Sequence, residues 1–198
     1  NDEYKTEYLV IASGTKPKLF KDFDIDTSLF DSIFYGISEL TNTKNKSIII
    51  AGAGDLAFDY SLYLGKMNQI TILNRSDKPK CIPLLFERAG KLKRFKYYEN
   101  AVLKQVAGSG RNKLSVKFSS KLDFSFLIAD YLVFAIGREE EIDFVDDEFK
   151  KVIKMLRNTG RIYIIGDAAN TQYRQTAIAA GDGIKAAMQI FEKKRGIK

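Results

Sequence analysis

A glycine–aspartate turn near the C-terminal end of the sequence carries the first residues that could do chemistry. The apolar run Ile162–Ile165 predicts a strand, Gly166 and Asp167 follow it, and the periodicity of residues 176–191 predicts a helix. A strand that ends on Gly-Asp places a carboxylate at the open end of a sheet. The segment Arg174–Thr176 then places backbone N–H groups at a helix start, where the helix dipole favours electron-rich or anionic groups.

A second glycine-rich segment also lies between an apolar run and a helical pattern. The continuous run Ser47–Ala51 predicts a buried parallel strand, residues 55–66 predict a helix, and residues 69–73 predict the next strand. These three elements have the length and order of a βαβ unit. The glycines between the first strand and the helix therefore lie where such a unit binds a phosphate-bearing ligand.

This second segment reads Gly-Ala-Gly-Asp-Leu-Ala, from Gly52 to Ala57, and matches the G-x-G-x-x-A variant of the dinucleotide motif. Gly52 permits the tight turn, and Gly54 lets a pyrophosphate approach the backbone. Ala57 allows the helix to pack closely on the strand. The segment predicts that the chain binds a dinucleotide, and the alternative is a merely structural glycine turn.

The end of the second strand distinguishes NAD from NADP. An acidic residue there would bond the ribose 2′-OH of NAD. Here Leu73 is followed by Asn74 and Arg75, so the tip carries no carboxylate and Arg75 stands where a 2′-phosphate would lie. Lys80 adds a second positive group, although Asp77 could offer an acid. We expect NADP(H) to be preferred over NAD(H), and the alternative for Arg75 is a solvated surface charge.

The remaining patterns predict an α/β protein. They indicate a helix over 83–93, a short strand over 96–99, a hairpin of 101–107 with 113–118, strands over 122–129 and 131–136, and an acidic linker over 139–143. This order predicts a Rossmann-like three-layer domain, residues 28–138, inserted in a second domain. The second domain is represented by its last pieces, residues 1–27 and 139–198.

Five segments together resemble the thioredoxin-reductase-like flavoproteins of the pyridine nucleotide-disulfide oxidoreductase family. They are Ala12–Thr15, Gly52–Asp59, Asn74–Lys80, Ala135–Arg138 and Gly166–Gly183. The resemblance implies a homodimer with a partial FAD-binding domain and an NAD(P)H-binding domain. It also implies that Asp167 bonds the flavin ribityl chain and that the amides of Arg174–Thr176 face the flavin pyrimidine edge.

The resemblance yields two sets of candidate cofactor-binding residues. Those for the nicotinamide nucleotide are Gly52, Ala53, Gly54, Asp55, Leu56, Asn74, Arg75, Ser76, Lys80, Ala135, Ile136 and Gly137. Those for FAD are Ala12, Ser13, Gly14, Gly166, Asp167, Arg174, Gln175 and Thr176. No residue is predicted to act as acid, base or nucleophile, because the cofactors carry the hard chemistry of hydride transfer.

Two features depart from the family pattern. Thioredoxin reductases carry Cys-x-x-Cys before the nucleotide domain, and these positions fall on Gly36 and Glu39. The spacing instead resembles the ferredoxin–NADP reductases of the same fold, which lack the pair, and Cys81 is interpreted as structural. No first G-x-G-x-x-G unit precedes Tyr8, so we expect FAD to bind only when such an N-terminal segment is supplied.

Composition excludes several other classes of site. The chain has 198 residues, a net charge of +7, one cysteine and no histidine, so neither an internal disulfide nor a Cys/His metal site can form. The lysines are scattered, which favours a solvated basic face over a nucleic-acid site. No apolar run approaches the roughly 18 residues of a membrane span, and a cytoplasmic location is consistent with this composition.

The sequence therefore predicts part of a flavin oxidoreductase that passes hydride from NAD(P)H to FAD and on to an acceptor. The basic balance favours a small acidic electron carrier, such as ferredoxin or flavodoxin, as the acceptor. A non-catalytic NAD(P)-binding module or truncated fragment is the first alternative. A disulfide reductase whose thiols are supplied elsewhere is the second.

Overall fold

The computed structural model describes residues 3–23, 25–110, 112–120 and 123–196. These residues divide into a central unit, residues 17–137, and an outer unit formed by the residues up to Lys16 together with those from Arg138 onward. Residues 17–27, which the sequence grouped with the outer domain, thus fall in the central unit. The physical reason is that Phe20 stacks on Phe134, with ring centroids 4.7 Å apart, and Phe23 packs on the same core.

The strands of both units are short and the helices few. The strands are β1 (Leu9–Ile11), β2 (Thr15–Pro17), β3 (Ile33–Phe34), β4 (Ser47–Ala51), β5 (Gln69–Leu73), β6 (Phe95–Tyr98), β7 (Ala101–Gly108), β8 (Leu114–Ser120), β9 (Asp123–Ala129), β10 (Tyr131–Phe134), β11 (Arg138–Glu140) and β12 (Ile162–Ile164). The α-helices are α1 (Asp55–Leu64), α2 (Pro83–Gly90), α3 (Asp147–Thr159) and α4 (Thr176–Lys194). Within the described ranges, no helix is both long and apolar enough to cross a lipid bilayer.

A five-stranded parallel sheet forms the middle layer of the central unit, in the order β3-β10-β4-β5-β6. Alternate side chains of β4 face opposite layers. Ile48 and Ile50 pack in the core that includes Phe58 of α1, whereas Ile49 packs with Val116 of the antiparallel sheet β7-β8-β9. The predicted α/β fold with a three-layer, Rossmann-like domain is therefore confirmed.

The outer unit contains the parallel pair β1 and β12, with helices α3 and α4. Ile11 of β1, Ile162 of β12 and Ile153 of α3 form a small buried core with Val145. The N–H of Ile165 continues the strand pair by donating to the carbonyl oxygen of Ile11 at 3.0 Å. Because the two strands are parallel, their C-terminal ends lie side by side, and so do the residues that follow them.

Most predicted elements of the central unit are present, and their bounds differ from the prediction by a few residues at most. Strands β4 and β5 have the predicted bounds, and the predicted hairpin is formed by β7 and β8. Helix α1 ends at Leu64 because Gly65 closes its last turn, with its N–H bonded to the carbonyl oxygen of Ser61. The strand predicted over 131–136 ends at Phe134, and Leu122, the predicted first residue of β9, lies outside the described residues.

Two predictions for the outer unit were wrong. The acidic segment 139–143 is not simply a linker, because its beginning forms strand β11, which pairs with β2. Helix α3 was missed, although its apolar residues recur at helical spacing. Phe149, Ile153 and Leu156 lie at i, i+4 and i+7, and the last two pack against the outer core.

A buried carboxylate stabilises the central sheet at the N-terminal ends of β4 and β10, opposite the end where Gly52 follows β4. Asp130, at the start of β10, accepts the N–H of Ser47 at 2.8 Å and the Nζ of Lys113 at 2.5 Å, and Lys46 Nζ lies 3.6 Å away. Burial by itself raises the pKa of Asp130, but the hydrogen bonds from Lys113 and Ser47, with the lysine charges, outweigh it. The pKa of Asp130 is therefore lowered, and the carboxylate stays ionised.

Candidate cofactor-binding turns

The Gly52 turn lies where the strand order of the central sheet reverses. From β4 the chain proceeds outward through β5 and β6, whereas β10 and β3 lie on the other side of β4. In open α/β sheets, ligands bind in the crevice outside the carboxyl ends of the strands at such a switch point. The C-terminal ends of β4 and β10 therefore define the candidate nucleotide site of this unit.

Gly52 is required by a close approach of two backbones. Its φ of +125° is a conformation that side chains rarely adopt, and a Cβ there would lie 2.2 Å from the carbonyl oxygen of Ala135. The Gly52 N–H donates to Leu73 at 3.0 Å, and the Ala135 N–H donates to Ala51 at 2.8 Å. Gly52 thus lets the ends of three neighbouring strands meet at one point.

Gly54 differs from Gly52 because its surroundings are open. It is the N-cap of α1 in an extended conformation, and an added Cβ would meet only the carbonyl oxygen of Lys80, at 3.7 Å. Ala57 is fully buried one turn later, which allows close packing of the helix. The free side of Gly54 and the first amides of α1 form a cradle that fits a phosphate group.

The segment after β5 returns to this cradle. The N–H of Lys80 donates to the carbonyl oxygen of Ala53 at 2.8 Å, and Lys80 forms a parallel bridge with Gly54. The Asp55 carboxylate accepts the N–H of Ile82 at 2.8 Å, so this predicted site residue holds the returning segment. The exposed Lys80 side chain is thereby placed beside the Gly52 turn.

The tip of β5 presents Arg75 to solvent on a fixed backbone. Asn74 is buried, and its side chain bonds the Tyr97 hydroxyl and the N–H of Ser76, at 2.9 and 3.1 Å. Arg75 is exposed, and its guanidinium has no ion-pair partner in the part of the chain that the structure describes. A free guanidinium at this position fits a 2′-phosphate.

The other candidate residues of the central unit lie at the same edge. Leu56 is half-buried in the first turn of α1, and Ile136 is 39% exposed after β10. Gly137 has a φ of +115°, and its carbonyl oxygen accepts the N–H of Lys18 at 3.0 Å. The structure thus brings all twelve predicted nucleotide residues to one end of the central sheet.

In the outer unit, a carboxylate from α4 holds the Gly166 turn. Gly166 has a φ of +64°, and its N–H donates to the Asp182 carboxylate at 3.1 Å. The Asn170 side-chain amide donates to the same carboxylate at 2.8 Å and to the Gly166 carbonyl at 2.9 Å. Neither Asp182 nor Asn170 was predicted. Asp182 lies sixteen residues from Gly166, outside the local motif, whereas Asn170 is within it, four residues from Gly166.

Asp167 and the start of α4 are the candidate flavin-binding residues of this turn. Asp167 is half-buried, and among the described residues its carboxylate has no hydrogen-bond or ion-pair partner. Helix α4 begins at Thr176, and the N-cap residue Gln175 makes no side-chain capping bond. The first amides of α4 are therefore free to bind an electron-rich group, as are other uncapped helix starts.

Two arginines brace the same side of the outer unit through carbonyl oxygens. Arg174 donates to the carbonyls of Asn170, at 2.8 Å, and Arg138, at 3.2 Å. Arg138 in turn donates to the hydroxyl and carbonyl oxygens of Thr15 at 2.8 and 2.5 Å. Only the backbone of Arg174 is left for the role that the family resemblance implies.

The turn after β1 completes the candidate FAD residues. Ala12 and Ser13 are exposed, and Gly14 has a φ of +74°. The carbonyl oxygen of Gly14 accepts the N–H of Glu141 at 3.0 Å, which fixes the turn. These three residues follow β1 and Gly166 follows β12, so the two turns lie together at the C-terminal ends of the parallel strand pair.

The positions expected for a cysteine pair carry no thiol chemistry. Space is open around the α-carbon of Gly36, and the Glu39 carboxylate accepts the Ser38 hydroxyl at 2.6 Å. Cys81 packs against the core that contains Ile50 of β4 and Phe58 of α1. Burial and the nearby Asp55 charge raise the pKa of the Cys81 thiol, which keeps it protonated and poorly nucleophilic.

The comparisons with known proteins define the class. The family model described as pyridine nucleotide-disulphide oxidoreductase matches residues 1–183, and the chain therefore belongs to this family. Its curated relatives include thioredoxin reductases from Listeria innocua, 27% identical over 91% of this chain and 60% of the relative, and from Rickettsia conorii, 24% identical over 95% and 66%. This chain thus spans about 60% of the Listeria protein.

Solved structures with the same fold include two thioredoxin reductases. The Lactococcus lactis structure has a TM-score of 0.78 at 21% identity and covers 97% of this chain and 69% of its own. The T. acidophilum structure has a TM-score of 0.79 at 19% identity, with coverages of 96% and 67%. The predicted family resemblance and fold class are both confirmed.

Proposed function

We propose that this chain is part of a flavin-dependent oxidoreductase that takes hydride from NADPH and passes electrons through FAD to an acceptor. The single observation that carries the proposal is the Gly52 turn at the switch point, in which the side of Gly54 is open and the returning segment brings Lys80 beside it, with Arg75 at the tip of the next strand. An oxidoreductase of the pyridine nucleotide type needs such a turn, and family membership supports the class.

In this proposal, each residue of the central unit has a defined task. The open side of Gly54 and the first amides of α1 bind the pyrophosphate, and the buried Ala57 keeps the helix close to the sheet. Arg75 and Lys80 bind the 2′-phosphate through charge-assisted hydrogen bonds, which explains a preference for NADPH over NADH. Ile136 covers one side of the bound nucleotide with apolar surface.

The outer unit supplies the FAD side. The Asp167 carboxylate, which has no partner among the described residues, accepts hydrogen bonds from the ribityl hydroxyls. The amides at Gln175 and Thr176 face the electron-rich pyrimidine edge. Asp182 and Arg174 position these groups without touching the flavin. We propose that an N-terminal segment with its own glycine turn completes this site.

When both cofactors are bound, nicotinamide supplies a hydride and flavin accepts it. The protein side chains named above bind, orient and neutralise charge, and none of them is required to move a proton. The account therefore predicts no titrating catalytic residue in this chain.

For the acceptor, a soluble acidic electron carrier is the first candidate and a disulfide protein the second. The +7 net charge favours an acidic partner through long-range attraction, and Gly36 and Glu39 leave no dithiol at the expected positions. The relatives named thioredoxin reductase support the second candidate, which requires thiols supplied elsewhere.

The test is NADPH-driven reduction by the full gene product with added FAD, using ferredoxin, flavodoxin and oxidised thioredoxin as alternative acceptors. We expect a flavin absorption spectrum, and carrier reduction that slows as ionic strength rises. Thioredoxin reduction that persists in Cys81→Ser protein would favour the second candidate. NADPH binding with neither flavin binding nor turnover would contradict the proposal and leave a non-catalytic nucleotide-binding module.

A further inference from the structure

The buried Asn74, which precedes the exposed Arg75 in the chain, is hydrogen-bonded to the half-buried Tyr97. Asn74 is 5% exposed, and its Nδ2 donates to the Tyr97 hydroxyl at 2.9 Å. Its Oδ1 accepts the N–H of Ser76 at 3.1 Å. Because a backbone N–H can only donate, the amide orientation is determined, and Nδ2 must face the tyrosine.

The backbone on both sides of Arg75 is held as well. Asn74 donates its N–H to Tyr98 at 2.8 Å and accepts the N–H of Ala101 at 2.7 Å. The carbonyl oxygen of Ser76 accepts the N–H of Asn100 at 2.9 Å. Arg75 is therefore the exposed residue between two neighbours whose positions are set by hydrogen bonds.

The tyrosine ring connects this turn to the helices of the unit. Tyr97 packs edge-on against Phe86 of α2, at 5.2 Å between centroids, and lies 6.3 Å from Phe58 of α1. Helix α1 begins at the Gly52 turn. The ring that carries the Asn74-bonded hydroxyl thus packs on α2 and lies near α1, the helix that starts at the phosphate cradle.

We infer that Tyr97 is a positioning residue for nucleotide selectivity, which acts through Asn74 to hold Arg75 toward the 2′-phosphate. The inference rests on the proposed function and adds a residue that does not touch the nucleotide. A fixed backbone lowers the ordering cost of an arginine–phosphate contact, so selectivity depends on the Asn74–Tyr97 hydrogen bond as well as on the charge. Asn74 is assigned the same role in place of direct cofactor contact.

The test compares Tyr97→Phe with Tyr98→Phe by calorimetric titration of the 198-residue chain with NADPH and NADH. Tyr98 is a matched control because it is the next residue on β6 but packs against the core shared with the antiparallel sheet, on the other side of the central sheet from Tyr97. Loss of the Tyr97 hydroxyl should lower the ratio of NADPH to NADH affinity by about fivefold, with NADH affinity nearly unchanged. The control should keep the wild-type ratio.

The same substitution in an Arg75→Ala background distinguishes positioning from general loosening. If Tyr97 acts through Arg75, the double variant should have the same affinity ratio as Arg75→Ala alone. A wild-type chain that prefers NADPH while Tyr97→Phe keeps that preference overturns this inference alone. A wild-type chain that binds neither nucleotide overturns the proposed function and this inference with it.

If Tyr97→Phe does not fold, amide hydrogen exchange of the wild-type chain provides the test. The Ser76 N–H should exchange at least about tenfold more slowly than the N–H of Lys78 in the same loop, because the Asn74 side chain holds it. NADPH should slow it further. Exchange as fast as that of Lys78 overturns the inference.

Discussion

The two glycine turns of this molecule follow strands in the same way but are held by different means. At Gly52, the backbone of β10 approaches so closely that no side chain fits. At Gly166, an added Cβ would meet Ala179 at ordinary contact distances, 3.4 Å from its Cβ and 3.9 Å from its Cα, and the turn is held by the Asp182 carboxylate. Both glycines have a positive φ, but the Gly52 turn also requires the absence of a Cβ because of a backbone clash, whereas the Gly166 turn is held by a carboxylate.

Both turns were recognised from the sequence, and this difference explains why the residue that holds the Gly166 turn was not. A turn made by backbone contact needs small residues at fixed spacing, so the segment Gly52–Ala57 contains the complete signal. A turn held by a side chain from a later helix has part of its signal at Asp182. A substitution of Asp182 can therefore weaken the Gly166 turn without introducing a steric clash.

The largest expected effect is that of Gly52→Ala. The clash with Ala135 and the φ of +125° should destabilise the central unit by about 4 kcal/mol, measured by urea unfolding. Gly54→Ala is the matched control, because its Cβ has room. It should change stability by less than about 1 kcal/mol but weaken nucleotide binding about tenfold. Equal destabilisation by both substitutions would contradict the proposed difference between the two glycines.

The central unit also has a polar brace, but at the opposite end of β4, and its effect should come next. Asp130→Ala leaves Lys113 and the Ser47 amide without their partner and should cost about 3 kcal/mol.

The sign of the pH dependence follows from the lowered pKa of Asp130. Its stabilisation is present above the unfolded-state pKa and is lost as pH falls through the lower folded-state pKa. Acid unfolding of Asp130→Asn should therefore be less steep than that of the wild type over this range. If the unfolding free energies of the two proteins fall equally steeply with decreasing pH, this carboxylate is ruled out as a source of the pH dependence.

A smaller effect is expected from Asp182→Ala, which removes the acceptor of two hydrogen bonds at the Gly166 turn. We expect a loss of about 1–2 kcal/mol in the free energy of unfolding of the outer unit. Asp182→Asn keeps an oxygen acceptor and should cost less than half as much. Thermal unfolding of the two variants measures the difference, and an Asn variant as unstable as the Ala variant would show that the negative charge is what matters.

The smallest effect is that of Arg75→Ala, which should leave stability unchanged because the side chain is exposed and lacks an ion-pair partner among the described residues. NADPH affinity should fall by about tenfold, and NADH affinity should stay the same. Equal loss for both nucleotides would mean that Arg75 supports the loop instead of reading the 2′-phosphate.

Local patterns predicted the layers of the central unit well. Strands β4 and β5 were predicted residue by residue because each is a buried apolar run bounded by turn residues. Helix α3 could have been found from its i, i+4, i+7 spacing. The direct cofactor contact predicted for Asn74 stays a prediction. Its hydrogen bond to Tyr97 could not be predicted from a local pattern, because the two residues lie 23 positions apart in the sequence. Such a pair becomes visible only when strands are placed side by side.

The central claim is that the nicotinamide nucleotide binds at the Gly52 turn and not at the Gly166 turn. The most direct measurement is an NADPH titration of the labelled 198-residue chain, followed by the backbone amide resonances of both turns. We expect the resonances of Gly52–Ala57, Arg75 and Lys80 to shift together, whereas those of Gly166–Thr176 should not shift. Shifts centred on Gly166–Thr176, or no shifts at saturating NADPH, would contradict the central claim.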